Sequence, residues 1–225
     1  MTNPPPLPWP RAAARHLAAL WWLKLPGITA GMVVFFAAYF QLLHHPIRPP
    51  FVMPLTAVDR WVGFTPAALP LYLSLWVYVS LAPGLAANLG QLRAWFLAAI
   101  ALGLAGLGLF YLFPTAVPPF DTVWAQGSAF AFLKNTDASG NACPSLHVAF
   151  AVLTAFVIAR RLRDLGAGAG VRALNGLWCA GIVWSTLATR QHVLLDAVAG
   201  TVLGAAFGLP FARGWRISRV APPSE

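Results

Sequence analysis

Two short stretches of the chain combine residue types that can handle a phosphate. The first is Cys143-Pro144-Ser145-Leu146-His147. A proline suits the first turn of a helix, because its missing N–H has no partner to lose there. The backbone N–H groups that follow are free to meet an anion, with the Ser145 hydroxyl and the His147 ring in the same turn. The second stretch is Ser185-Thr186-Leu187-Ala188-Thr189-Arg190-Gln191-His192-Val193-Leu194-Leu195-Asp196. His192 and Asp196 are four residues apart, which on a helix puts them on one face. A carboxylate so placed holds one imidazole nitrogen as N–H and leaves the other as a nucleophile or base. Arg190 adds a fixed positive charge whose planar fork suits phosphate. Two histidines, an arginine, a helix start and an acid are the parts of phosphoryl chemistry.

Those residues need a scaffold, and the composition says what kind. Of 225 residues, 59% are hydrophobic and only 9% charged, and the mean hydropathy is +0.68. A soluble domain carries roughly a quarter charged residues. So few charges cannot cover a water-facing surface, which excludes a soluble enzyme and a disordered chain. A spanning helix needs about 20 apolar residues. Six stretches approach this: 28–43, 67–85, 94–113, 146–159, 173–189 and 192–212. Asp196 lies within the last, where an ionisable group is expensive and needs a partner; His192 is the obvious one. The expected fold is an all-α integral membrane protein, a six-transmembrane-helix bundle with a long outer loop between helices 3 and 4. Residues 1–24 form an N-terminal tail with an interfacial helix near 11–23, 25–212 the membrane domain, and 213–225 a basic C-terminal tail.

Charge fixes the orientation. The chain has 15 Lys and Arg against 6 Asp and Glu, a net charge of +9. With both termini in the cytoplasm, only Arg48, Arg60, Lys134 and Arg190 fall outside and the other eleven fall inside, as the positive-inside rule requires. The excess is therefore a topology signal, and no nucleic-acid partner is expected. Trp21, Trp22, Trp61, Trp124 and Trp215 fall near span ends, where an aromatic belt forms. The loop over 114–144 has aromatics and few charges, which favours a packed cap. It lies on the same side as the short 188–191 loop. Two cysteines, Cys143 and Cys179, build no disulfide framework.

Plainer roles stand beside the chemical ones. Ser145 can be a helix cap, Arg190 a snorkelling interface charge, Asp196 a structural hydrogen-bond partner, and Ser185 a helix–helix contact. His16, His44 and His45 sit in no spaced motif and read as interfacial polar residues. Gly200, Gly204 and Gly208 recur every fourth residue, a stripe that permits close helix packing. Two histidines and an acid can bind zinc, but the His-x-x-x-Asp spacing beside an arginine points away from a cation site.

The two stretches together resemble the type 2 phosphatidic acid phosphatase superfamily of membrane phosphatases and phosphotransferases. Pro144-Ser145-Leu146-His147 is similar to its Pro-Ser-Gly-His motif in three of four positions. Ser185, His192 and Asp196 match its Ser-Arg, five residues, His, three residues, Asp motif. Thr186 stands where the family has Arg; Arg190 lies four residues later, one turn away if the backbone is helical there. The family's first motif, Lys, six residues, Arg-Pro, has no match before the second; Lys134 is the candidate substitute. The Pro-Ser-Leu-His form looks like the inositol phosphorylceramide synthase branch. The resemblance implies a metal-free, cofactor-free mechanism. His192 is the nucleophile that forms a phosphohistidine, Asp196 orients it, and His147 is the general acid and base. Ser145, Arg190 and Lys134 bind the phosphate oxygens. The substrate is a lipid phosphate or phosphodiester, and the place a bacterial inner (plasma) membrane, with the site facing the periplasm or exterior. The alternative of another class is a non-enzymatic transporter or lipid-binding protein, since intramembrane ionisable residues also mark transport pathways.

Overall fold

The computed structural model describes residues 7–119 and 141–213. The described residues are mostly helical. A short α1 (Trp9–Ala18) leads into α2 (Trp21–His44), and α3 (Ala57–Val62) lies in the connection that follows. A 3₁₀ turn (Pro66–Ala68), α4 (Leu69–Leu73) and α5 (Leu75–Gly84) form one broken rod, and α6 (Leu89–Leu112) returns. After the 120–140 segment come α7 (Leu146–Asp164), α8 (Ala169–Ala188) and α9 (Leu194–Ala212). Among the described residues, four stretches are long and apolar enough to cross a membrane: Trp21–His44, Pro66–Gly84, Leu89–Leu112 and Leu194–Ala212.

Helix α7 is not among those four, and its position explains why. It is the central rod, with Val148, Ala149, Ala151, Leu153 and Val157 sealed from solvent and lipid alike. A helix wrapped by others needs no continuous apolar surface, so its C-terminal end can carry Arg160, Arg161, Arg163 and Asp164. Helix α9 packs along it through the glycine stripe. A Cβ at Gly200 would collide with the Ser145 carbonyl oxygen, one at Gly204 with the Ala149 carbonyl oxygen, and one at Gly208 with the Phe156 ring. Only hydrogen at those positions allows the two backbones this close.

Several boundaries differ from the sequence expectation. The stretch near 11–23 is two helices, because Leu20 takes a left-handed φ of 56° between them. Lys24, which the sequence places near the headgroups, does not extend into open solvent. It is buried, and its Nζ donates to the carbonyl oxygens of His16 (2.6 Å) and Gly84 (2.7 Å), tying the ends of α1 and α5 together. Cations belong at helix C-termini, where the unpaired carbonyls point. The second rod breaks at Ser74, whose hydroxyl donates to the Leu71 carbonyl (2.6 Å) and accepts from the Trp178 indole (2.9 Å).

At one end of the bundle the connections form a small platform. β1 (Phe51–Val52) pairs in parallel with β2 (Thr115–Ala116), Phe51 opposite Thr115. Asn141 bridges to Thr115, and its amide donates to the Tyr39 carbonyl (2.9 Å). The two ends of the 114–144 loop are thus anchored, while 120–140, with Lys134 and Trp124, lies outside the described residues.

Candidate active site

The platform end holds the residues singled out by spacing. Ser145 is the N-cap of α7: its Oγ accepts from the Val148 N–H (3.2 Å) and it is fully buried. Pro144 therefore precedes the cap instead of opening the first turn. Leu146 and His147 follow as the first helical residues, and the Ser145 N–H donates to the Asp196 carbonyl (3.0 Å). That bond joins the two motif stretches at their backbones. Leu146, in the place of the expected glycine, is buried on α6 against Gly106, where a Cβ would strike the Leu146 side chain. A glycine on another helix makes the room that the motif itself lacks.

His192 is not on a helix with Asp196. It precedes Val193, the N-cap of α9, and Asp196 is the third residue of that helix. Their approach comes from the carboxylate folding back over the helix start. Asp196 Oδ2 accepts from the Val193 N–H (3.0 Å) and faces His192 Nδ1 at 3.5 Å. At this separation the two are in ion-pair range, but no aligned hydrogen bond joins them; catalytic contacts in unliganded sites are often this long. Asp196 is fully buried, and its Oδ1 has no hydrogen-bond partner among the described residues. It stands in the first turn of α9, at the positive end of that helix.

The turn between α8 and α9 fixes His192 from the other side. The Thr186 carbonyl accepts from both Gln191 N–H and His192 N–H (3.1 Å each). Thr186, which occupies the family's arginine position, is itself buried. Ser185 Oγ donates to the Ile182 carbonyl of its own helix (2.7 Å), so its hydroxyl is spent locally. Arg190 does not continue the helix. α8 ends at Ala188, and Arg190 sits at φ 58°, a left-handed conformation that costs a side-chain-bearing residue about 1–2 kcal/mol. The supposition of one more helical turn is thereby corrected. The guanidinium is held instead by a bond from Nη1 to the Asp59 carbonyl (2.7 Å).

Asp59 is the residue that sequence reasoning missed. It is buried in α3, where Thr56 and Asp59 cap each other reciprocally. Its Oδ1 accepts from the Leu194 N–H (2.7 Å), the first residue of α9. One residue thus holds the Arg190 side chain through its carbonyl and the start of α9 through its carboxylate. The Thr-x-x-Asp pattern signals a helix start, but nothing local says what lies across from it. Tyr72 was also missed. Its ring stacks on His147 at 4.0 Å, and its carbonyl meets His147 Nε2 at 3.1 Å. A carbonyl only accepts, so Nε2 carries hydrogen in that bond and Nδ1 is the open nitrogen. Burial, and behind it the negative Asp196, pushes the Cys143 thiol up to about 11. A neutral thiol is a poor nucleophile.

Both histidines border one cavity of about 1140 Å³, enclosed mainly by apolar side chains of α2, α4, α5, α6 and α7. Ser145, His147, His192 and Asp196 are therefore brought to one place, with Arg190 two residues before His192. Lys134 lies outside the described residues.

A family model described as the PAP2 superfamily matches residues 51–209. No curated protein and no solved structure matches the chain. The matched span covers most of the sequence and both motif stretches, and the chain belongs to the PAP2 superfamily, whose members are phosphatases or phosphotransferases acting on phosphate esters.

Proposed function

We propose that the protein is a lipid phosphatase or lipid head-group phosphotransferase working through a phosphohistidine on His192. The observation that carries this reading is the placement of His147 and His192 on the border of one large apolar cavity, with Asp196 buried behind His192 at 3.5 Å. With Nδ1 turned toward Asp196, His192 attacks phosphorus through Nε2. His147 enters this step as the imidazolium, with its Nε2–H on the Tyr72 carbonyl. The N–P bond forms as the P–O bond to the leaving group breaks, and the leaving oxygen takes the Nδ1 proton of that imidazolium. Water or an acceptor alcohol then gives a proton back to His147 and attacks phosphorus, and the N–P bond breaks. The N–H groups at the start of α7, Arg190 and Lys134 take the charge on the equatorial oxygens. Ser145 keeps its hydroxyl proton available for the same purpose while its oxygen caps the helix.

In this reading six helices cross a bacterial inner membrane, both termini are cytoplasmic and the site faces outward. The Pro-Ser-Leu-His form supports a place near the inositol phosphorylceramide synthase branch, where the acceptor is an alcohol. The reaction needs no metal. The test is phosphate release from a panel of lipid phosphates, with and without acceptor alcohols. His192→Ala should lower release by at least about 10⁴-fold, the scale seen when a covalent catalyst is removed, with an unchanged melting temperature, and EDTA should have no effect. Full activity in that variant overturns the mechanism, and a loss that divalent metal restores favours a metal centre.

A further inference from the structure

The cavity is longer than a phosphate site requires. Along α2 it runs from Phe40, at the histidine end, to Gly27 near the opposite end of the helix. At about 1.5 Å per residue that is roughly 20 Å, about two-thirds of a hydrocarbon core of about 30 Å. The far end is closed where α2 meets α6: a Cβ at Gly27 would lie 2.9 Å from the Phe96 ring. The sides are open. Val34 and Leu104 both border the cavity and are 70% and 65% exposed. The two histidines and Asn141 mark one end of the channel; away from them the lining is apolar apart from tyrosines and Ser80, whose hydroxyl donates to the Trp76 carbonyl (2.8 Å).

We propose that this cleft holds the hydrocarbon chain of the substrate, laid along α2 from the histidines to the Gly27–Phe96 closure, and that the closure sets the chain length the enzyme prefers. The inference rests on the lipid-phosphate reading above. A chain moving from bilayer to cleft exchanges one apolar medium for another, so little is gained from hydrophobicity. Selection then comes from shape: a chain up to the length of the cleft packs its walls, and a longer one must bend out between α2 and α6. Gly103 on α6 sets the width midway. A Cβ there would lie 3.6 Å from the Phe35 ring and 3.8 Å from the Phe150 ring, ordinary contact. A small side chain is tolerated at that point, and a large one projects across the channel.

The experiment uses the full chain in nanodiscs and n-alkyl phosphates presented as monomers, from ethyl phosphate upward. From water, each added CH₂ should raise kcat/KM about 4-fold, the equivalent of about 0.8 kcal/mol, until the chain reaches the closure, and then level off. Gly103→Leu should level off several carbons earlier, with ethyl phosphate turned over as by the unaltered protein. Ala99→Leu, one turn away on the same wall, is the second variant should the first fail to fold. A series that is flat, or that climbs identically in both variants, overturns the inference and leaves the phosphatase reading intact. Should no member release phosphate, quenching of tryptophan fluorescence by a bromoalkyl phosphate decides. Trp95 borders the inner part of the cleft. Quenching that Trp95→Phe abolishes sustains the cleft while the phosphatase reading fails, and no quenching ends both.

Discussion

Helices α9 and α2 use the same residue for opposite ends. On α9, Gly200, Gly204 and Gly208 each lie against the α7 backbone or an α7 ring, and a third of the helix's most apolar window (33%) is buried. On α2, none of that window is buried (0%), and Gly31 has no atom within 4 Å of where a Cβ would stand. Packing without slack holds the side of the bundle that carries His147, His192 and Asp196. The side that borders the cleft is built open. In the proposed function, groups that must meet within tenths of an ångström are supported by backbone contacts, and the surface proposed to hold a mobile hydrocarbon is not.

Matched substitutions can break or sharpen that contrast. The largest effect is expected at Gly200. In Gly200→Ala the new methyl meets the Ser145 carbonyl, a backbone group that cannot step aside. Overpacking of this kind costs about 1–3 kcal/mol, and an ångström of displacement at the site costs on the order of 100-fold in rate. Both melting temperature and phosphate release should fall; a variant that keeps wild-type rates shows that the seam does not set the geometry. Asp59→Ala comes next. It orphans the Leu194 N–H, worth about 1–3 kcal/mol when buried. Turnover should drop by roughly 10-fold or more, and Asp59→Asn, which keeps an acceptor oxygen, should recover part of it. An unchanged kcat in Asp59→Ala would separate α3 from the site. The smallest effect is Gly31→Ala. With open space around it, the alanine should stabilise α2 by about 0.5–1 kcal/mol, read as a raised melting temperature. A destabilisation there would mean that α2 is packed after all.

The chemistry was the most legible part of the sequence, because its residues are neighbours in the chain. Ser145 and His147 share a turn, and His192 and Asp196 lie within one short stretch, so spacing alone brings them together. The geometry was less legible. His192 and Asp196 meet because a carboxylate folds back over a helix start, and not along a helix face. Arg190 adopts a left-handed conformation that residue type argues against, and Ser74 breaks a rod with neither proline nor glycine at the break. Asp59 and Tyr72 were invisible for a simpler reason: their partners are far away in the chain. Hydrophobic periodicity finds a helix, but it does not say which carbonyl on it will face a histidine.

The bonds from Asp59 also order events in time. Its partners, Arg190 and Leu194, follow it by 131 and 135 residues. At roughly 5–20 residues per second, a ribosome needs on the order of 10 s to cover that gap. Over that interval the chain has its platform but neither His192 nor Asp196. Both arrive with the short stretch 192–196 that opens α9, together with the N–H that Asp59 receives. In the proposed mechanism catalytic competence is thus a late product of synthesis, and a chain stopped before residue 192 would be catalytically silent.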